Sequence, residues 1–259
     1  MEAFTAIDVK TIPNIERIKE YADENELSVE EALAKKEMGE GYFPIRDQKI
    51  VAIGAFTYFT EGDKGKVNRI SLAGDEKKIL EETAKYIADI MKITKSMPYF
   101  VTADGRKYAL EILASRALTH MIEAKKKDEE ISPEMAKMLK VLASPKNGYL
   151  KPFDTKDSLD LQAYIGLGTD KNALKCQKLY KEKDFEALAF EAAKTVLDIA
   201  QNYAALVEVQ NGDMKKGVYT LKADGCKSKI FPIEEKEEEV EEIIEEDIAE
   251  PEEPDDVDR

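Results

Sequence analysis

The segment KIVAIGAFTYF, residues 49–59, joins β-branched, aromatic and small residues in one continuous apolar run. Such a run is typical of a buried central strand. The turn-forming segment EGDKGK, residues 61–66, follows it, and the apolar run at 67–72 then predicts an antiparallel returning strand. This hairpin places a β-sheet at the centre of the predicted fold.

The segments around the hairpin predict more strands and several helices. An apolar run at residues 4–12, ended by Pro13, predicts a first strand, and residues 99–102 predict a fourth. Helical periodicity and capping signals predict helices within residues 14–38, 75–91, 108–124, 132–143, 158–165 and 184–206, and a late strand is expected at 218–222. The fold class is therefore α/β, with a mixed sheet flanked by helices.

Charge divides the chain into two parts. The net charge of −15 lies almost wholly in residues 234–259, which hold sixteen acidic and two basic residues. This composition predicts a folded body over residues 1–230 and a disordered acidic tail over 231–259. The two cysteines form no CxxC pair, and the chain has neither a signal peptide nor an apolar run of membrane-spanning length, so we expect a cytoplasmic protein without a membrane partner.

Four segments carry a family resemblance. They are DVKTIPN at 8–14, YFVTADGRKYA at 99–109 with LASRAL at 113–118, SLDLQAYIGL at 158–167, and FEAAK at 190–194. In this order they resemble the predicted 3′–5′ exonucleases related to the proofreading domain of family B DNA polymerases. The resemblance spans residues 4–206 and implies an RNase H-like, DnaQ-type fold.

No Gly-rich phosphate loop follows the first predicted strand, and this argues against a Rossmann or P-loop domain.

The resemblance implies a two-metal nuclease site that this chain has lost. The family uses four carboxylates and an orienting tyrosine around two divalent ions. The matching positions, which form a degenerate site, are Asp8, Lys10, Asp104, Ala109, Phe190 and Lys194. Asp8 is the one retained ligand. A shift of one residue in the last segment replaces Lys194 by Thr195.

Electrostatics predicts the consequence of the two lysines. Asp8 and Lys10 share a strand face because alternate residues of a strand point the same way. A unit-charge pair about 4 Å apart is worth roughly 4 kcal/mol at an effective dielectric of 20, so an ammonium group repels a dication strongly. We hypothesise that Lys10, Lys194 or both replace the metal charge and neutralise Asp8.

The leading prediction is a catalytically inactive exonuclease-like protein that acts in DNA metabolism by binding. Single-stranded DNA is the expected ligand, and no cofactor is expected. The basic residues that offer phosphate contact, with one aromatic residue among them, are Lys171, Lys175, Lys178, Tyr180 and Lys181. A scaffold protein without nucleic-acid contact is the first alternative.

The second alternative is an active exonuclease that binds magnesium or manganese through relocated ligands. These would be Asp8 with Asp104, or with the group Asp154, Asp157 and Asp160.

His120 follows an apolar helical stripe and is expected to be a surface or partly buried residue rather than a catalytic base.

The acidic tail leaves three interpretations open. It could keep the protein soluble, it could occupy a lysine-rich groove of the body as a mimic of nucleic acid, or it could bind a basic protein of the replication machinery. Its apolar residues Val240, Ile243, Ile244 and Ile248 have helical spacing.

Overall fold

A mixed sheet with helices on both faces forms the fold, as seen in a computed structural model that describes residues 3–38, 43–61, 64–95, 99–103, 108–142, 158–160, 173–211 and 226–233. The strands are β1 (Ala3–Pro13), β2 (Gln48–Glu61), β3 (Lys64–Gly74), β4 (Tyr99–Thr102), β5 (Ser158–Asp160) and β6 (Lys227–Phe231). The helices are α1 (Ile15–Glu24), α2 (Val29–Lys36), α3 (Glu76–Thr94), α4 (Ala109–Lys126), α5 (Pro133–Leu142), α6 (Ala173–Lys181) and α7 (Phe185–Asn211). Across these ranges, we find no helix with the length and apolarity needed to cross a membrane.

The described strands lie in the order β5-β4-β1-β2-β3-β6. Strands β1, β2 and β3 form an antiparallel meander, and its β2–β3 pair confirms the predicted hairpin. Strand β4 runs parallel to β1, β5 runs parallel to β4, and β6 runs parallel to β3. The predicted α/β class with a mixed sheet is therefore confirmed.

Local capping explains where several helices begin. The Ser28 and Glu31 side chains form the predicted capping box of α2, and the Asp75 side chain accepts a hydrogen bond from Lys78 N at 2.9 Å at the start of α3. Glu26 adopts a left-handed backbone with φ of 55° between α1 and α2. The predicted helical region 14–38 is therefore two helices.

One other prediction differs from the structure, one cannot be tested, and two elements were not predicted. Residues Ser158–Asp160 pair with β4 as a strand, so the helix predicted at 158–165 is wrong for these residues. The pairing depends on a distant strand, which outweighs local helix propensity. The strand expected at 218–222 lies outside the described residues, and the prediction missed the nearby β6 and the helix α6.

The two faces of the sheet bury different sets of side chains. One face packs Ile7, Val9 and Leu72 against α3, α4 and α5. The other face is covered by α6 and α7 and holds two separate clusters of buried residues. Alternate residues of β1 therefore contact different layers, with Phe4 and Ala6 under α7.

A buried ion pair ties α3 to α4 and β2. Glu76 Oε2 lies 2.6 Å from Arg116 Nη2, and Glu76 Oε1 accepts hydrogen bonds from Arg116 Nε at 2.8 Å and from Ile50 N at 2.6 Å. His120 Nε2 is 2.9 Å from Glu76 Oε2. Burial opposes ionisation of Glu76, but the hydrogen bonds from Arg116 and His120 outweigh it and lower its pKa to about 2.

The low pKa of Glu76 predicts a specific loss of stability in acid. Its ordinary pKa is 4.5, so the stabilisation is fully present above that pH and disappears as the pH falls towards 2. When the pH is lowered from about 5 to about 3, protonation linked to Glu76 should reduce the free energy of unfolding by roughly 2 kcal/mol. Urea unfolding at the two pH values measures the loss in the wild type.

The double variant Glu76→Gln with Arg116→Met is the control for this acid loss, since it removes the carboxylate together with its cation. Its unfolding free energy should fall less than that of the wild type over the same pH interval. An equal fall would show that other carboxylates account for the acid sensitivity.

Candidate functional site

Asp8 forms a buried ion pair with Lys10 on β1. Lys10 Nζ lies 3.2 Å from Asp8 Oδ2, and the two side chains are 9% and 14% exposed. The geometry is that of an ion pair rather than of a well-aligned hydrogen bond. Both residues lie on the face covered by α6 and α7, because they alternate with Ile7 and Val9, which pack on the opposite face.

Helix α7 supplies the next contact of the Lys10 ammonium group. Lys10 Nζ donates a hydrogen bond to Thr195 Oγ1 at 2.9 Å, and Thr195 Oγ1 donates to the backbone oxygen of Glu191 at 3.0 Å. The Glu191 carboxylate is in turn paired with Lys175 of α6, with Oε1 and Nζ 2.7 Å apart. Opposite charges therefore alternate from β1 across α7 to α6.

Helix α7 approaches the sheet closely beside this pair. Gly54 of β2 is the register partner of Asp8, and a Cβ atom at Gly54 would lie 2.3 Å from the backbone oxygen of Ala192. A side chain at this position would therefore push α7 away from the sheet. The glycine lets the helix backbone cover the Asp8–Lys10 pair.

The ion pair also separates the two apolar clusters of this face. One cluster contains Phe4 and Ala6, which precede Asp8, and the other packs against Ile12, which follows Lys10. Asp8 and Lys10 thus occupy two inward-facing positions of β1 at which apolar side chains would join the two clusters into one core. Their mutual pairing makes burial between the clusters tolerable.

Cys176 of α6 lies within electrostatic range of the pair. Burial raises the pKa of its thiol to about 11, the Lys10 charge lowers it, and the Asp8 charge raises it again. At neutral pH the group is therefore a protonated thiol, which is a poor nucleophile. Both cysteines, Cys176 and Cys226, are free.

Among the other predicted site residues, those that the structure describes do not join this cluster. Ala109 is buried in the core of the opposite face. Phe190 is 46% exposed and Lys194 is also exposed, so their side chains do not face β1. Thr195 is the residue that meets Lys10, which corresponds to the register shifted by one residue. Asp104 lies outside the described residues.

The lysines predicted to contact phosphate lie on α6 and are partly compensated by acids. Lys175 is paired with Glu191, and Lys178 Nζ lies 3.9 Å from Glu182 Oε1. Tyr180, the aromatic residue predicted among these lysines, is 7% exposed and packs edge-on against Phe185, so its ring is not available to stack on a base. Lys181 is half-buried, and Lys171 lies outside the described residues.

Relocated metal ligands are not found where the structure can be described. The described part of the chain brings together no three His, Cys, Asp or Glu side chains that could hold a metal ion. Asp154 and Asp157 lie outside this part. Asp160 belongs to β5, and the placement of its side chain is also outside it.

A cleft of about 930 Å³ opens beyond the end of β1, and the sequence interpretation missed it. Residues of α1, α4 and α6 line it, together with the start of α3, and they include Glu76, Arg116 and His120. His120 is thus the partly buried residue expected from its place after an apolar stripe, but its contact with Glu76 was not foreseen. Arg116 within the apolar stripe of α4 was the available signal for a buried ion pair.

Together, these contacts place a fixed ammonium group beside the Asp8 carboxylate, with a hydroxyl group and a second ion pair behind it. Such an arrangement holds charge in a low-dielectric layer without an external cation. Comparison of the chain with protein-family models, with curated proteins and with solved structures gives no match.

Proposed function

We propose that this protein is a non-catalytic relative of the 3′–5′ exonucleases with an RNase H-like fold, and that it acts in DNA metabolism by binding instead of cleavage. The observation that carries the proposal is the position of Lys10, whose ammonium group lies between the Asp8 carboxylate and the Thr195 hydroxyl. The mixed sheet, with helices on both faces, is compatible with an RNase H-like fold.

The lysine removes the reason for a metal ion at Asp8. Two-metal nucleases hold dications to stabilise the attacking and leaving oxygens. A dication about 4 Å from an ammonium group is repelled by roughly 8 kcal/mol at an effective dielectric of 20. Thr195 on α7 is a neutral residue, and Glu191, the nearest described acid on that helix, is already paired with Lys175. The site is therefore built around an internal cation.

Helix α6 is the surface of the described chain that we propose for single-stranded DNA. Lys178 is 74% exposed, and its partner Glu182 is also exposed. Exposed ion pairs contribute only about 0–1 kcal/mol, so a phosphate can replace Glu182 at little cost. Binding through such contacts depends on released counterions and weakens as salt is added.

A scaffold protein without nucleic-acid contact is the second candidate function. The pairing of Lys175 with Glu191 and of Lys178 with Glu182 favours it, because these acids reduce the positive field of α6. A protein partner would then replace DNA as the ligand of the body.

Fluorescence anisotropy with a labelled single-stranded oligonucleotide tests the binding. We expect binding at low salt that weakens at high salt, and Lys178→Glu should weaken it by about five-fold. Lys92→Glu is the matched control, since Lys92 is 75% exposed and paired with Asp89 on its own helix. No binding at low salt would select the scaffold function.

Incubation of the same oligonucleotide with magnesium or manganese tests the catalytic claim separately. We expect intact oligonucleotide with the wild type and with Asp8→Ala. Metal-dependent shortening that disappears in Asp8→Ala would overturn the non-catalytic proposal, whatever the anisotropy shows.

A further inference from the structure

The cleft beyond β1 exposes apolar surface that nothing in the described chain covers. Ile122 of α4 and Leu174 of α6 both line it, and these side chains are 47% and 60% exposed. Val29 and Leu33 of α2 add apolar surface on the same cleft. An apolar patch with charged residues around it is typical of a docking site.

The described chain ends beside this cleft. The backbone oxygen of Phe231, the last residue of β6, accepts a hydrogen bond from Asp75 N at 2.9 Å, and Asp75 lines the cleft. Ile233 packs against the cluster that contains Tyr180, another residue of the cleft. The last described residues of the chain therefore lie at the cleft.

The segment that follows has the composition to fill it. Residues 234–259 place Val240, Ile243, Ile244 and Ile248 at helical spacing among glutamates. The seven residues from Ile233 to Val240 span up to about 23 Å when extended, which is enough to cross a cleft of this size.

Lysine side chains at the ends of α4 and α6 offer ion pairs to the acids of that segment. Lys126 and Lys127 at the end of α4 and Lys181 at the end of α6 line the cleft. Acids also line it: Glu20 is paired with Arg17 and Glu129 with Lys77, and Glu16, Glu30, Glu37 and Glu123 leave the lining as a whole close to neutral. Contact with lysine side chains offsets the mutual repulsion of neighbouring glutamates.

We propose that residues 234–259 dock in this cleft of their own chain. The isoleucine face packs against Ile122 and Leu174, and the carboxylates face Lys126, Lys127 and Lys181. A short tether gives an effective concentration in the millimolar range, so an intrinsic Kd near 0.1 mM leaves the cleft about 90% occupied. This inference does not depend on whether the body binds DNA.

Carbodiimide cross-linking of the full chain tests the docking, because the reagent joins only amines and carboxylates in direct contact. Peptide mapping should show Lys126, Lys127 and Lys181 joined to acids of residues 234–259. The yield of these cross-links should be about ten-fold above the yield of cross-links between the exposed Lys92 and the same acids. The double substitution Ile243→Asp with Ile244→Asp should reduce this yield to the level of Lys92. Val257→Asp, which lies outside the helical stripe, should leave it unchanged.

A mixture of unlabelled and isotope-labelled full chains distinguishes the possible occupants. Cross-links within one chain support the proposal. Cross-links between chains would overturn it in favour of a second copy in the cleft, and a yield at these lysines no greater than at Lys92 would overturn it altogether. Circular dichroism of each variant confirms that the substitutions leave the sheet and helices intact.

Discussion

Replacement of Arg116 by methionine should lower the free energy of unfolding by about 3–5 kcal/mol. Arg116 is buried and donates hydrogen bonds to both carboxylate oxygens of Glu76. Methionine fills much of the same volume but leaves the buried Glu76 carboxylate with Ile50 N and His120 as its remaining described partners. Urea denaturation at neutral pH measures the loss.

Two further variants separate burial from charge. Arg17→Met removes an exposed ion pair to Glu20 and should cost less than about 1 kcal/mol. Adding Glu76→Gln to Arg116→Met should restore part of the lost stability, since the buried charge is then gone. If Arg17→Met and Arg116→Met were equally destabilising, the buried ion pair would not be a specific source of stability.

Replacement of Lys10 by methionine should be the second most destabilising change, at about 3 kcal/mol. It leaves the Asp8 carboxylate under α7 without its ammonium partner, and Thr195 Oγ1 loses its donor. Thermal or urea unfolding measures the effect. The loss would show that the lysine neutralises Asp8 in the folded protein.

A charge-free double variant is the decisive comparison for Lys10. Asp8→Asn together with Lys10→Met should be more stable than Lys10→Met alone, because no unpaired charge remains buried. Lys92→Met, at an exposed lysine with a partner on its own helix, should change stability by less than about 1 kcal/mol. A harmless Lys10→Met would mean that Asp8 is neutralised by other means.

Local sequence patterns were sufficient for the central strands and most helices. The continuous apolar run of β2 can only be buried between two layers, and the hairpin to β3 follows from its turn residues. The short strand β5 and the lysine-containing β6 carry little such signal, because both depend on pairing with a neighbouring strand. Their hydrogen bonds lie outside any local window of sequence.

The candidate site could be predicted on β1 but not on α7. Alternation along a strand puts Asp8 and Lys10 on one face without further information. On α7 a shift of one residue turns a side chain by about 100°, so Lys194 is exposed while Thr195 meets Lys10. The buried residues Leu188, Ala192 and Val196 define the inner face of the helix. Their spacing shows which residues of α7 face the sheet, which the motif alone did not.

Contacts between distant helices were beyond the sequence patterns. Glu76 begins one helix and Arg116 lies within another, and only their crossing brings the two side chains together. The cleft likewise forms where α1, α4 and α6 converge. No periodicity within a single helix predicts such a meeting.

The hydroxyl group of Thr195, which accepts a hydrogen bond from Lys10, lies 185 residues further along the chain than Lys10. During synthesis at about 5–20 residues per second, the first strand therefore waits roughly 10–40 s for its covering helix. Charged side chains in an otherwise apolar strand act as gatekeepers against aggregation over such an interval. We therefore expect Asp8 and Lys10, which form the buried ion pair of the folded protein, to keep β1 from aggregating before α7 is synthesised.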